Sequence, residues 1–318
     1  MDSRLETGIN AVRSDKNMAA AKGDLDNLKQ KVEKSEDKNP KSGAHWQEST
    51  PLHLAALNGH LHVVEYICKE LKGDINPSCS NGKTCLHLAA ENGHLNVVSF
   101  YTNRLPDPNP GKLSSGDADD EFKGRTPLHL AAQNGHLAIV QHLCNLLDDK
   151  NPKDLNDLTP LHCAATNGNL QVYKLIIGNA LDKNPKDITK FTPLHLAAGL
   201  GYFEICQLII ENIHDKNPKD KFGKTPLHQA AHYGHLKICQ LIIENVPDKN
   251  PADYDIRTPL HVAAEKGHLE ICKLIIKYNP RYNTKDYSGV TPLHLAASYE
   301  KLQVFKELLT NSIEKNPA

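Results

Sequence analysis

Apolar and polar positions along this chain recur with a period much longer than one helix. A short block of Leu, an apolar or small residue and Ala-Ala is followed by a tight-turn signal. A second apolar stripe comes next, as in Leu236, Ile238, Cys239, Leu241, Ile242 and Val246, with roughly helical spacing. A polar stretch with Asn and Pro, such as Asp-Lys-Asn-Pro-Lys-Asp, closes the unit as a turn. The pattern predicts helix, tight turn, helix, hairpin-like connection. One such unit cannot bury its own apolar face. Stacked copies can, so the pattern predicts a repeat array.

The period is explicit. Thr-Pro-Leu-His starts at Thr50, Thr126, Thr159, Thr192, Thr225, Thr258 and Thr291, and Thr-Cys-Leu-His starts at Thr84. The steps between them are 34, 42, 33, 33, 33, 33 and 33 residues. Asn-Pro keeps the same register at Asn109, Asn151, Asn184, Asn217, Asn250 and Asn316, and Asn76 lies one residue late. Counting back from Asn39-Pro40 places a degenerate copy at Ser14, with Ala19-Ala20, Gly23 and Leu25 in register. The expectation is nine units in one domain over 1–318. It comprises an N-terminal tail and degenerate cap (1–49), seven full units (50–290) and a C-terminal cap (291–318).

The residue types fit helix chemistry. Thr before an apolar helix is a good N-cap, worth about 1 kcal/mol, and Pro suits the first helical position. Ala-Ala lets a neighbouring helix approach closely. Gly nine residues after Thr ends the first helix in the left-handed conformation. Cys85 replaces Pro and should weaken pre-organisation of its helix. Glu300 and Lys301 replace Gly and His in the last unit, a polar drift suited to a cap. At the connection tip, two residues before Thr, Gly stands at Gly82, Gly124, Gly223 and Gly289, but Asp157, Lys190 and Ile256 stand elsewhere. Lys190 and Ile256 accept a positive φ poorly, so reshaped tips are expected there. One connection is longer: Pro110 to Thr126 spans sixteen residues where other units use seven. The extra residues, around 111–121, carry Asp117, Asp119, Asp120 and Glu121. They read as an acidic solvated loop or a contact element, and lack the spacing of a calcium loop.

The tandem Thr-Pro-Leu-His-x-Ala-Ala-x-x-Gly-His-Leu unit resembles the ankyrin repeat family over residues 14–317. The resemblance implies an all-α ankyrin-repeat solenoid of stacked helix-turn-helix units with hairpin-like fingers. It also implies a concave face, built from finger tips and first-helix positions, that binds another protein. Carried onto this sequence, that face has aromatic residues at Phe191, Phe222, Tyr233, Tyr254, Tyr287 and Tyr299, interleaved with Arg125, Lys224, Arg257 and Lys266. Exposed rings are common binding anchors, though these could equally pack finger on finger. The resemblance further implies hydroxylation of finger asparagines. Asn151, Asn184, Asn217 and Asn250 hold that position, with a following Pro that departs from the usual small residue.

Composition narrows the function. Net charge is −1 with a pI near 7.0, so no basic face for nucleic acid or acidic lipid is expected. The polar N-terminus lacks a signal core, and no apolar run approaches the ~18 residues of a membrane span. Eight cysteines without a Cys-x-x-Cys pair suit a reducing, intracellular compartment, cytoplasmic or nuclear. Eighteen histidines invite a metal or general-base reading, but thirteen recur once per unit at fixed positions, and the recurrence argues for a structural role. Cys206, Cys239 and Cys272 share one buried position, and Cys79 is the expected exposed thiol. Gly82-Lys83-Thr84 and Gly223-Lys224-Thr225 mimic a phosphate loop, but Pro77 and Pro218 stand where its first Gly is required. No catalytic residue, metal or cofactor is expected. The reading is a protein-interaction scaffold or adaptor, monomer favoured. The alternative is the recognition domain of a larger signalling protein, channel or secreted effector, kept open by a chain that stops at Asn316-Pro317-Ala318 inside another finger.

Overall fold

In a computed structural model the described residues are 15–34, 49–70, 74–112, 123–279 and 282–315, with side chains to 311. The acidic residues of the 111–121 loop, the 1–14 tail and Asn316 lie outside them. The chain forms two compact units, Met1–Ala180 and Leu181–Ala318. Unit 1 holds α1 (15–22), α2 (Leu25–Glu33), α3 (Pro51–Leu57), α4 (Leu61–Glu70), α5 (Cys85–Glu91), α6 (Leu95–Thr102), α7 (Pro127–Gln133), α8 (Leu137–Leu146), α9 (Pro160–Thr166) and α10 (Leu170–Ile177). Unit 2 holds α11 (Pro193–Leu200), α12 (Phe203–Asn212), α13 (Pro226–Tyr233), α14 (Leu236–Asn245), α15 (Pro259–Lys266), α16 (Leu269–Tyr278), α17 (Pro292–Ser298) and α18 (Leu302–Lys315). Among the described residues these make nine helix pairs, as the spacing predicts, in an all-α fold. Among the described residues the only β pairing is one bridge, Ser78 to Thr84.

Within each unit, first helices pack on first helices and second on second, as α11 on α13 and α12 on α14. The Ala pairs are why the first helices can approach: Ala197, Ala198, Ala230 and Ala231 are fully buried. The second helices bury their stripe, as Ile238, Cys239, Ile242 and Ile243 in α14. Each such Ile contributes about 2 kcal/mol by leaving water.

From α3 on, each first helix starts at a Thr in extended conformation, and the cap centres on the His three residues on. In α13, Thr225 N–H donates to His228 Nδ1 at 3.1 Å and its hydroxyl lies 3.0 Å from the same nitrogen. The expected bond to the Thr hydroxyl from the helix N–H forms only at His53, His195 and His294, each at 3.4 Å. His thus takes the place that Glu holds in the usual capping box. A finger asparagine adds a second cap: Asn250 Oδ1 accepts the N–H of Leu260 at 3.1 Å, and five other asparagines repeat this.

The finger itself is built on an Asp that the sequence reading passed over. Asp253 Oδ1 accepts the N–H groups of Asp255 and Arg257 at 3.0 and 2.8 Å, while its own N–H donates to the Arg257 carbonyl. Asp154, Asp187, Asp220 and Asp286 do the same. This frame overturns one expectation. Asp157, Lys190 and Ile256 keep the left-handed tip, with φ of 58°, 61° and 60°, matching the glycines elsewhere. Another correction concerns Cys79, which holds the Asp position in its finger. It is 6% exposed, and its thiol donates to Asn81 Oδ1 and the Lys83 carbonyl. Cys68 is the one thiol of intermediate exposure.

In the last unit Glu300 holds the left-handed position at φ 56°. The Lys301 stem lies against Gly267, where other units place a His ring; a Cβ on Gly267 would sit 2.8 Å from Lys301 Cδ.

Candidate partner-binding edge

The repeated histidines are satisfied within the fold. His53, His87, His129, His195, His228 and His261 use Nε2 on a carbonyl of the next finger, at 2.9–3.2 Å. With Nδ1 accepting from Thr, the ring is the neutral Nε2–H form. Burial lowers the pKa of His87 and His195 to about 4 and of His129 and His228 to about 3. The second set reaches backwards: His60, His94, His136, His235 and His268 bond carbonyls of the preceding first helix. Asn169 does so with its amide, to Ala132 and Gln133. Among the described residues no cluster of His, Cys, Asp or Glu could hold a metal ion.

Arg125 lies in unit 1. Its side chain is 11% exposed; Nε lies 3.4 Å from Asp154 Oδ2 and Nη1 donates to Gln133 Oε1 at 2.8 Å. The other nine predicted residues lie in unit 2. Phe191 is half-buried, stacked on the His195 ring at 4.8 Å. Phe222, Tyr233, Tyr254, Tyr287 and Tyr299 are 58%, 59%, 63%, 82% and 53% exposed. Arg257 pairs with Glu265, and Lys266 meets the same carboxylate at 2.9 Å. Burial opposes ionisation of Glu265, but the hydrogen bonds from Arg257 and Lys266 hold its carboxyl below the ordinary range. Lys224 is exposed and its ammonium has no partner among the described residues.

Two columns organise the exposed rings. The first is the fourth residue before Thr, at the finger tip, where Tyr254 and Tyr287 stand. Their backbone N–H groups donate to the preceding finger, at the carbonyls of Phe222 and Asp255. The Tyr254 ring therefore leans on the tip before it; a Cβ on Gly223 would sit 2.7 Å from Tyr254 Cδ1. The second is the eighth residue after Thr. In unit 1 it is Asn58, Asn92, Asn134 and Asn167, each donating its amide to a carbonyl of its own helix. In unit 2 it is Leu200, Tyr233, Lys266 and Tyr299, all exposed. Leu200, with Ile188 and Ile256 on the fingers, is an exposed apolar residue of this edge that the aromatic count missed. Following the columns rather than the aromatics would have found Leu200 and Ile188.

The family model for ankyrin repeats, three copies long, matches residues 17–112, 109–187, 174–253 and 245–318. The chain belongs to the ankyrin-repeat family. Ankyrin repeats generally mediate protein–protein interaction, and they are typically binding scaffolds without enzymatic activity. No curated protein matches this ankyrin-repeat chain. Among its described residues no helix is long and apolar enough to cross a membrane.

Proposed function

We propose that this ankyrin-repeat protein is an intracellular scaffold or adaptor that binds a partner protein through the finger tips and first-helix ends of unit 2. The observation that carries the reading is the second column. Where unit 1 has asparagines satisfied by their own helices, unit 2 turns Leu200, Tyr233 and Tyr299 to solvent, beside Phe222, Tyr254 and Tyr287. Large rings held at fixed spacing on a stiff frame lose little entropy on binding, which favours them as anchors. Arg125 ties the end of its first helix to the next finger, through Gln133 and Asp154, instead of facing a partner. The protein acts without a cofactor or a catalytic step, its repeated His and Cys side chains being spent on packing. Eight unpaired cysteines suit a reducing compartment.

The test is Tyr254, Tyr287 and Tyr299 replaced together by Ala, followed by affinity capture from a native lysate and thermal melting. We expect the captured partner to be lost, with a stability cost of about 1 kcal/mol. A collapse of the melting transition would assign the rings to packing. Unchanged capture would remove the edge from consideration.

A further inference from the structure

The charge on this edge is uneven in a way that defines a partner. In three repeats the residue before Thr is a cation bound by the residue eight positions on: Lys83 to Glu91 at 2.6 Å, Arg125 to Gln133 at 2.8 Å, and Arg257 to Glu265. In the α13 unit the cation is Lys224 and the position opposite is His232, which brings no negative charge. Lys224 stands just before α13, and α13 packs on α15, whose last residue is Lys266. Glu265 of α15 is shared between Arg257 and Lys266, so two cations meet one anion. The finger carboxylates keep their charge but face inward, so the charged side chains exposed at the tips are mainly cations. Asp187, Asp220, Asp253 and Asp286 are turned into their own fingers, accepting N–H groups. Asp255 is the exposed acid at the tips, set against Lys190 and Lys221.

Apolar surface adjoins the cations. The Tyr233 ring packs edge-on to His232, with centroids 4.6 Å apart. It also lies over Gly199 of the preceding first helix, where an added Cβ would be 3.6 Å from the ring. Gly199 leaves a shelf that a larger side chain would fill. Phe222 stands exposed with the Lys221 ammonium 5.0 Å from its ring.

Resting on the reading of this edge as an interface, we propose that it selects an acidic partner: Lys224, Lys266 and Arg257 take a segment rich in Asp and Glu, whose apolar anchor lies against Phe222 and Tyr233. Lys224 is the principal contact, since among the described residues its ammonium is not engaged in an ion pair, although the Asp220 carboxylate accepts its backbone N–H. Lys266 and Arg257 share Glu265 and present their residual charge.

Three pools of short fluorescein-labelled peptides test this on the full chain. All carry a central Leu and Phe; the flanks are randomised over Asp and Glu, over Asn and Gln, or over Lys and Arg. The expected result is that the acidic pool binds at least about tenfold more tightly than the amide pool at low salt. Raising the salt to about 0.5 M should remove most of that preference. Lys224→Glu with Lys266→Glu should abolish it, and the neutral pair Lys224→Gln with Lys266→Gln should reduce it. Lys237→Glu, on the exposed side of α14, should leave it unchanged. Melting of every variant guards against a folding effect. Failure of the acidic pool to bind, or equal binding of the amide pool, overturns the proposal. So does charge reversal without effect. If the amide pool binds as tightly and the triple tyrosine variant loses it, the edge stands as an interface and its selection for acid falls.

Discussion

Ile256 sits with φ 60° at the tip of a finger, a conformation that costs an ordinary L-residue about 1–2 kcal/mol and is especially poor for a β-branched one. The frame around it explains why it stays. Asp253 holds the N–H groups of Asp255 and Arg257, and the Ile256 N–H donates to the Asp253 carbonyl at 3.1 Å. Reshaping the tip would break all three bonds to relieve one residue. The strain is therefore retained, and it is recoverable. Ile256→Gly should raise stability by about 1 kcal/mol, the gain in the tip being partly offset by the freer unfolded chain. Urea melting against the parent chain measures it, and a loss would mean that the exposed Ile side chain packs usefully on its neighbours. Sequence reading foresaw a poor residue at this site but not that the turn would hold. Local preference is written at the residue, whereas the bonds that overrule it come from an Asp three positions away. Cys79 misled for the same reason: it stands in the Asp position and is folded inward by its thiol contacts.

Helices were the most legible level. Thr, Pro, Ala-Ala and Gly mark each first helix in a local code, and every predicted pair from α3 to α18 starts where that code places it. What the code omits is how one element answers another. Cys85 at the start of α5 read as a weakened Pro position. In the fold it is fully buried beside Tyr101 of α6, whose hydroxyl lies near the thiols of Cys68 and Cys85 and lacks a good hydrogen-bond partner. In unit 2 the matching second-helix position is Ile209, Ile242, Ile275 or Leu308. The larger ring of Tyr101 therefore accompanies the smaller residue at 85. Cys85→Pro alone should destabilise by roughly 1–3 kcal/mol through crowding against the ring. With Tyr101→Ile added, Pro should become favourable, giving a coupling energy of about 1 kcal/mol or more in a double-mutant cycle. Additive effects would show that the two changes are unrelated.

At the scale of the molecule, repetition multiplies whatever one ring does. In both units first-helix histidines are buried in the neutral form, His87 and His129 in unit 1 and His195, His228 and His261 in unit 2, with Nδ1 accepting from Thr and Nε2 donating to the next finger. A proton on Nδ1 would oppose the Thr N–H directly. Burial lowers the pKa of His87, His129, His195, His228 and His261, four of them to between about 3 and 4. In the unfolded chain each ring returns to about 6.5. Above that pH neither state binds the proton and these rings contribute no pH dependence. Below it the unfolded chain takes up protons that the fold refuses, so stability falls as the pH falls, until the folded values are reached. Each of the four rings held to about 3–4 costs about 1 kcal/mol between pH 6 and 5, together about 4, and His261 acts in the same direction. Urea melts at closely spaced pH should show this steep loss, with uptake of several protons on unfolding. Ordinary carboxylates titrate mostly below that window, and Asp154, whose pKa burial raises, would act in the opposite direction. Because burial and bonding geometry cause the effect, added salt should leave the slope nearly intact, unlike an effect of surface ion pairs. Stability that stays level from pH 7 to 5 would mean that the rings accept protons within the fold, and the neutral bonding scheme between neighbouring repeats would have to be abandoned.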